Sequence, residues 1–304
     1  MARVLVAGLN PAWQKVMEFP SLRAGEVNRA RDLLQLASGK GINAAKVLRR
    51  LGHEVDLWQI VGGDNGRRCL EACAAWGIRS LHAQVAVETR ECLTLLDSEK
   101  GQATELIAPF RIPPPDPGPA LLAALPDGRD RYAALLLCGT IPPGAPAGLY
   151  AALPDRFSAP VILLDSAQPE ARALAGRVSG VKVNRREYRE WEQAEGKMGE
   201  TPFLVTDGPR EACMLRGGRE RERFAWPPLS GVISPIGAGD TVTAGLAHFL
   251  LAGKGMAEAF RRALAMGSAS CLQRAPAEYG EEDYRRLLPL VAMRAGPLGR
   301  GGHG

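Results

Sequence analysis

The chain has 304 residues, 46% of them hydrophobic, with 38 Lys and Arg against 33 Asp and Glu and a formal charge of +5. That length buries a large core as one α/β domain with an insertion or as two domains, and basic residues scattered among acidic ones argue against nucleic acid and for small anions. No apolar run reaches the roughly 18 residues that span a bilayer, and Met1-Ala2-Arg3 leads into a strand rather than a signal peptide, so a cytoplasmic protein with no membrane partner is expected.

Arg3 to Gly8 is a short apolar run closed by Gly8 and Pro11, the pattern of a buried strand. Ligands of open α/β sheets collect at the carboxyl ends of such strands, which makes Asn10 to Lys15 a candidate binding loop. Half-apolar runs from Leu22 to Ala37 read as strands of a smaller sheet. Ser38-Gly39-Lys40-Gly41-Ile42-Asn43 then opens a helix that ends at Gly52. This glycine turn is neither a P-loop nor a dinucleotide fingerprint. Lys40 and Asn43 either hold a substrate's phosphate and hydroxyls or are a surface lysine and a helix-start asparagine.

Asp56 to Val61 reads as a strand and Asn65 to Ala75 as a helix. Alternating runs from Ser80 to Ala108, broken by the turn Ser98-Glu99-Lys100-Gly101, read as a hairpin lid. Arg90 lies between two of its strands, placed for an anion clamp or for an exposed salt bridge. The Pro-rich piece Ile112 to Pro119 is a stiff linker back to the core. From Tyr132 to Thr206 strands and helices alternate, which implies a parallel sheet with helices on both faces. Cys138-Gly139-Thr140-Ile141-Pro142-Pro143-Gly144 and Lys182-Val183-Asn184-Arg185-Arg186-Glu187 form loops at strand carboxyl ends. In the second, Asn184 and Glu187 are spaced as a capping-box variant, and the same oxygens suit hydrated Mg²⁺.

Ala212 to Leu215 and Arg223 to Trp226 read as late antiparallel strands. A second glycine turn, Pro235-Ile236-Gly237-Ala238-Gly239-Asp240, feeds a helix over Thr241 to Leu251, and helices over Ala257 to Leu272 and Glu281 to Leu290 follow. A helix start exposes unpaired amides and the positive end of the backbone dipole, so the amides of Gly237, Ala238 and Gly239 can surround an anion. Asp240 either caps that helix or takes a proton from an attacking hydroxyl. The six cysteines lack any C-x-x-C pair and read as reduced core thiols, with no protein-built zinc site.

The two glycine turns, with Thr140-Ile141-Pro142-Pro143-Gly144 and Asn184-x-x-Glu187 between them in order, resemble the ribokinase-like (phosphofructokinase B type) carbohydrate kinases over nearly the whole chain. Leu9-Asn10-Pro11-Ala12 and the Cys138 to Gly144 loop are most similar to the branch containing 1-phosphofructokinase and tagatose-6-phosphate kinase. The resemblance implies a three-layer α/β/α fold with a mostly parallel sheet and a small β-sheet lid. It implies a single kinase domain over 1–304, with lid segments at about 10–37 and 80–112; the last residues, 294–304, read from the sequence itself as a disordered tail. It also implies transfer of the γ-phosphoryl of ATP, with Mg²⁺, to a hydroxyl of a phosphorylated hexose, and a homodimer formed through the lid.

By the same resemblance Asp240 is the catalytic base and Gly237, Ala238 and Gly239 form the anion hole. Gln14, Gly39, Lys40, Asn43, Arg90 and Cys138 bind the acceptor. Lys182, Asn184, Thr206 and Gly208 bind nucleotide, and Glu187 with Asn184 holds the metal through water. Three departures fall in the acceptor pocket. Gln14 replaces a sugar-binding aspartate, Ile107 stands where asparagine is common, and Cys138 replaces a serine. They leave the acceptor open, and with it two other readings: a sugar-phosphate binding protein without turnover, and a kinase of a nucleoside or unphosphorylated sugar.

Overall fold

Val4 and Val6 point to one side of the first strand and Leu5 and Ala7 to the other, and all four are fully buried, so the strand lies inside a sheet covered on both faces. The computed structural model describes residues 1–195, 199–209 and 211–296. From β1 (Arg3–Ala7) the chain runs through β2 (Ala12–Phe19), β3 (Asp32–Ser38), α1 (Lys40–Arg50), β4 (Glu54–Gly62), α2 (Gly63–Ala75) and β5 (Arg79–Val85). Next come β6 (Glu91–Asp97), β7 (Gln102–Ile107), α3 (Gly118–Ala124), β8 (Ala134–Cys138), α4 (Leu149–Arg156), β9 (Val161–Asp165), α5 (Pro169–Arg172), β10 (Gly180–Asn184), α6 (Arg185–Glu195) and β11 (Phe203–Thr206). The order closes with β12 (Glu211–Arg216), β13 (Arg219–Ala225), α7 (Ala238–Leu251), α8 (Met256–Ser270), α9 (Glu281–Leu287) and β14 (Ala292–Ala295).

The large sheet has ten strands in the order β14-β13-β12-β11-β10-β9-β8-β1-β4-β5. It is parallel from β11 to β5 and antiparallel from β11 to β14. One face is covered by α1, α2, α7 and α8, whose apolar residues join Val4, Val6, Leu57, Leu136 and Leu163. The other is covered by α3, α4 and α6, where Tyr188 and Trp191 meet Val183 and Phe203. This is the expected three-layer fold with a small separate sheet, of order β3-β2-β6-β7. Strand order reverses at β1, with β4 on one side and β8 on the other, which opens a crevice beyond their carboxyl ends. No helix among the described residues is long and apolar enough to cross a membrane.

Four boundaries differ from the sequence reading. Asn10 to Lys15, expected as a binding loop, runs from Ala12 into the strand Ala12–Phe19, whose residues Ala12, Gln14 and Val16 are buried, the polar Gln14 and Lys15 having masked its alternation. Residues 20–31 before β3 are not strand, because the Asn28 side chain closes a turn onto the Arg23 amide and carbonyl. Arg79–Val85, assigned to the lid, pairs in parallel with β4 at the edge of the large sheet, so the second small-sheet segment begins at Glu91. Residues 294–295 of the expected tail belong to β14, which pairs with β13, while 297–304 lie outside the described residues.

Candidate active site

The two glycine turns meet. Gly39 adopts φ 106° and Gly237 φ 78°, backbone conformations that favour glycine, and each is followed at once by a helix, α1 and α7. α1 projects Lys40 and Asn43 and α7 projects Asp240 into one cavity of about 370 Å³, which Gln14, Arg90, Cys138 and Gly237 also line. The Asn43 amide donates to Asp240 Oδ2 at 2.7 Å, and the Ser38 hydroxyl donates to Asn43 Oδ1 at 3.2 Å. Burial raises the Asp240 carboxyl above its ordinary value, the nearby Asp165 charge adds to that, and Lys182, Asn43 and Lys40 oppose it.

At the start of α7 the Ala238 amide donates to the Pro235 carbonyl at 3.3 Å, which removes it from the expected anion hole. Among the described residues the amides of Gly237, Gly239 and Asp240 have no protein acceptor. They present the positive end of the helix.

Gln14 is buried and its amide donates to Thr94 at 2.8 Å, leaving the carbonyl oxygen for the cavity. The Arg90 guanidinium donates to the carbonyls of Asn10 and Pro11, at 3.0 and 3.3 Å, and has no carboxylate partner among the described residues. It is therefore neither the exposed salt bridge nor a loose surface cation. Cys138 ends β8 inside the cavity, with its thiol pushed up by burial. Gly39 does not line the cavity; a side chain there would meet the backbone of Pro11 and Asn10 at 3.1 to 3.2 Å, so its place is in the turn.

A second cavity of about 720 Å³ adjoins the first, and the two share Lys40, Gly139 and Thr140. Glu187, Ser166, Gln168, Arg172 and Arg186 line it, whereas Lys182, Asn184, Thr206 and Gly208 do not. Asn184 and Thr206 are register partners at the carboxyl ends of β10 and β11, and Gly208 turns the chain just beyond with φ 58°. Asn184 and Glu187 form the reciprocal cap read from their spacing. Asn184 Oδ1 accepts the Glu187 amide and Glu187 Oε2 accepts the Asn184 amide, both at 2.9 Å.

Asp165, which sequence reasoning missed, is bonded to the Lys40 that both cavities share. It is fully buried at the end of β9, where Lys40 donates to one oxygen at 2.7 Å and Lys182 and Thr243 to the other at 3.1 and 2.6 Å. Burial disfavours its charge, yet Lys182 and then Lys40 outweigh that and hold the carboxyl well below the usual range. Lys40 also donates to Glu187 at 3.1 Å, so its ammonium joins the two carboxylates and is not free for an acceptor phosphate alone. The available signal was an acid ending the apolar run Val161–Leu164, at the strand end where ligands collect.

A family model described as pfkB family carbohydrate kinase matches residues 1–282. The 1-phosphofructokinase of Rhodobacter capsulatus is 30% identical over 316 residues, covering 97% of this chain and 98% of that protein. The 1-phosphofructokinase of Escherichia coli K12 is 27% identical over 308 residues, covering 95% and 96%. Of solved structures, phosphofructokinase-2 from Escherichia coli in complex with substrates and products is similar at TM-score 0.79 and 19% identity, covering 94% of this chain and 98% of that one. A ribokinase from Thermotoga maritima is similar at TM-score 0.74 and 18% identity, covering 95% and 100%.

Proposed function

The chain belongs to the pfkB family of carbohydrate kinases, and on that premise we propose that Asp240 and the start of α7 transfer a phosphoryl group to an acceptor held in the smaller cavity. It is an ATP-dependent sugar-phosphate kinase. The observation that carries the assignment of residues is the joining of the two glycine turns through Asn43 and Asp240 at 2.7 Å.

The acceptor hydroxyl gives its proton to Asp240 as its oxygen bonds to the γ-phosphorus, and the bond to the β-phosphate oxygen breaks to release ADP. The open amides of Gly237, Gly239 and Asp240 face charge that develops on the transferring group. Arg90, charged and without a carboxylate partner, takes the acceptor's phosphate, while Gln14, Asn43 and Cys138 bound the sugar. The nucleotide falls to Lys182, Asn184, Thr206 and Gly208 by family resemblance, at the carboxyl ends of β10 and β11 outside the lining of either cavity. Lys40 stands at the wall between the two cavities and serves both.

Mg²⁺ suits this site because it keeps most of its waters and asks for only one or two protein carboxylates, and Glu187 beside Asn184 supplies hard oxygen atoms. Bound there with the nucleotide, the ion would neutralise charge on the phosphates. Gln14, Ile107 and Cys138 line the acceptor cavity together, so a hexose phosphate held there would have its hydroxyl pattern read by a carbonyl and apolar surface rather than by a carboxylate at position 14. Leu33 and Leu106 are 47% and 49% exposed on the small sheet, a surface suited to a homodimer formed through the lid. The six cysteines are free, which suits the cytoplasm.

The test is ADP release with a panel of hexose phosphates for the wild type beside Asp240→Asn. The variant is expected to bind ATP normally and to lose about 10² to 10⁴ in kcat. Near wild-type kcat would remove Asp240 as the base, and absence of ADP release from the wild type with every sugar phosphate would remove the acceptor class.

A further inference from the structure

Thr243 lies one turn beyond Asp240 on α7, fully buried, and its single hydroxyl proton faces two acceptors. One is the carbonyl of Gly239 at 3.1 Å, the ordinary i−4 partner of a threonine inside a helix. The other is Asp165 Oδ2 at 2.6 Å. A hydroxyl donates once, and the shorter bond to a charged acceptor is the stronger, so the proton goes to Asp165.

That choice ties the reacting helix to a fixed point. Asp165 is held by Lys40 from α1 and Lys182 from β10, and among the described residues no other α7 side chain donates to it. Lys182 in turn leans on the first turn of the same helix, since a β-carbon at Gly239 would lie 2.8 Å from its Nζ. Asp165, Lys182 and the first turn of α7 thus form a closed contact whose third side is the Thr243 hydroxyl. Sliding α7 along its axis would move the open amides and Asp240 together relative to Lys182.

We propose that Thr243 is a positioning residue for phosphoryl transfer, its bond to Asp165 setting the depth at which the start of α7 meets Lys182 and the reacting phosphoryl group. The proposal rests on the reading of α7 as the helix of the reaction. Displacement of reacting groups by about 1 Å costs on the order of 10² in rate, whereas substrate binding spread over many contacts changes little.

The experiment compares Thr243→Val, which keeps the shape and removes the hydroxyl, with Thr243→Ser, which keeps the hydroxyl, and with Thr243→Ala, which is smaller than both and cannot clash. The Val and Ala variants are expected to lose about tenfold to a hundredfold in kcat, with KM for nucleotide and acceptor within about threefold of wild type. Thr243→Ser is expected to regain kcat to within about threefold of wild type. A role in packing alone would lower melting temperature in Ser and Ala without splitting kcat from KM. A folded Val or Ala variant with full kcat, or a folded Ser variant that does not recover, overturns the proposal. Asp240→Asn is run alongside. If it is inactive while Thr243→Val is fully active, this inference alone falls; if it also turns over, the reading of α7 falls first.

Discussion

The two glycine turns look alike in sequence and differ in what glycine does for them. In the first, Gly41 lies back to back with Gly8, and a β-carbon at Gly41 would stand 2.4 Å from the Gly8 Cα, backbone against backbone. In the second, a β-carbon at Gly239 meets only the far end of Lys182, at 2.8 Å from Nζ and 3.9 Å from Cε. The first turn uses glycine to let β1 and α1 touch, and it delivers chemistry through the side chains of Lys40 and Asn43. The second uses Gly237 for a backbone contact as well, since a β-carbon there would stand 2.7 Å from the Ala277 nitrogen, but its Gly239 keeps space for a cation, and the turn delivers only Asp240 as a side chain. Each glycine of such a motif therefore marks either a fold constraint or a chemical one, and the neighbouring atom decides which.

Substitutions at the two positions should separate these roles. Gly41→Ala is expected to have the largest effect, a stability loss of about 3 kcal/mol or more in urea denaturation, because neither backbone can yield. A Gly41→Ala protein as stable as wild type would erase the distinction. Gly239→Ala is expected to cost less stability than Gly41→Ala, since only the end of Lys182 has to shift and alanine is favoured over glycine in a helix by roughly 1 kcal/mol. Its kcat should nevertheless fall about tenfold as Lys182 is displaced, and an unchanged kcat would show that Lys182 does not act from that place.

The smallest expected effect links the turns. On the proposed role Asp240 must be ionised to take a proton, and its carboxyl is already raised by burial, so activity is expected to be lost as pH falls through that raised value. Asn43 donates to the charged form and opposes the rise. Asn43→Ala should therefore move the acid limb of the kcat profile to higher pH, and a limb that stays in place or moves to lower pH would detach Asn43 from the ionisation of Asp240.

Much of the architecture was legible because buried parallel strands write themselves as apolar runs, as in Val161–Leu164 and Phe203–Val205. Both glycine turns were legible too, and the structure brings them to one cavity. What escaped notice depended on partners distant in sequence. Asp165 carries no local signal beyond its place at a strand end, since Lys40, Lys182 and Thr243 reach it from three other elements. Arg79–Val85 looked like lid because Leu81 and Ala83 are buried between polar neighbours, the pattern of an edge strand in either sheet. Ala238 was grouped with its neighbours because sequence does not show that the Pro235 carbonyl takes its amide.

The contact of Gly8 with Gly41 also limits how this lineage can change. Two packed side chains can drift together, one shrinking as the other grows, but here each position already has no side chain and has nothing to yield to the other. A mutation at either site thus has no compensating partner across the contact. The pair should be inherited as a unit, closed to the gradual exchange by which most cores diverge.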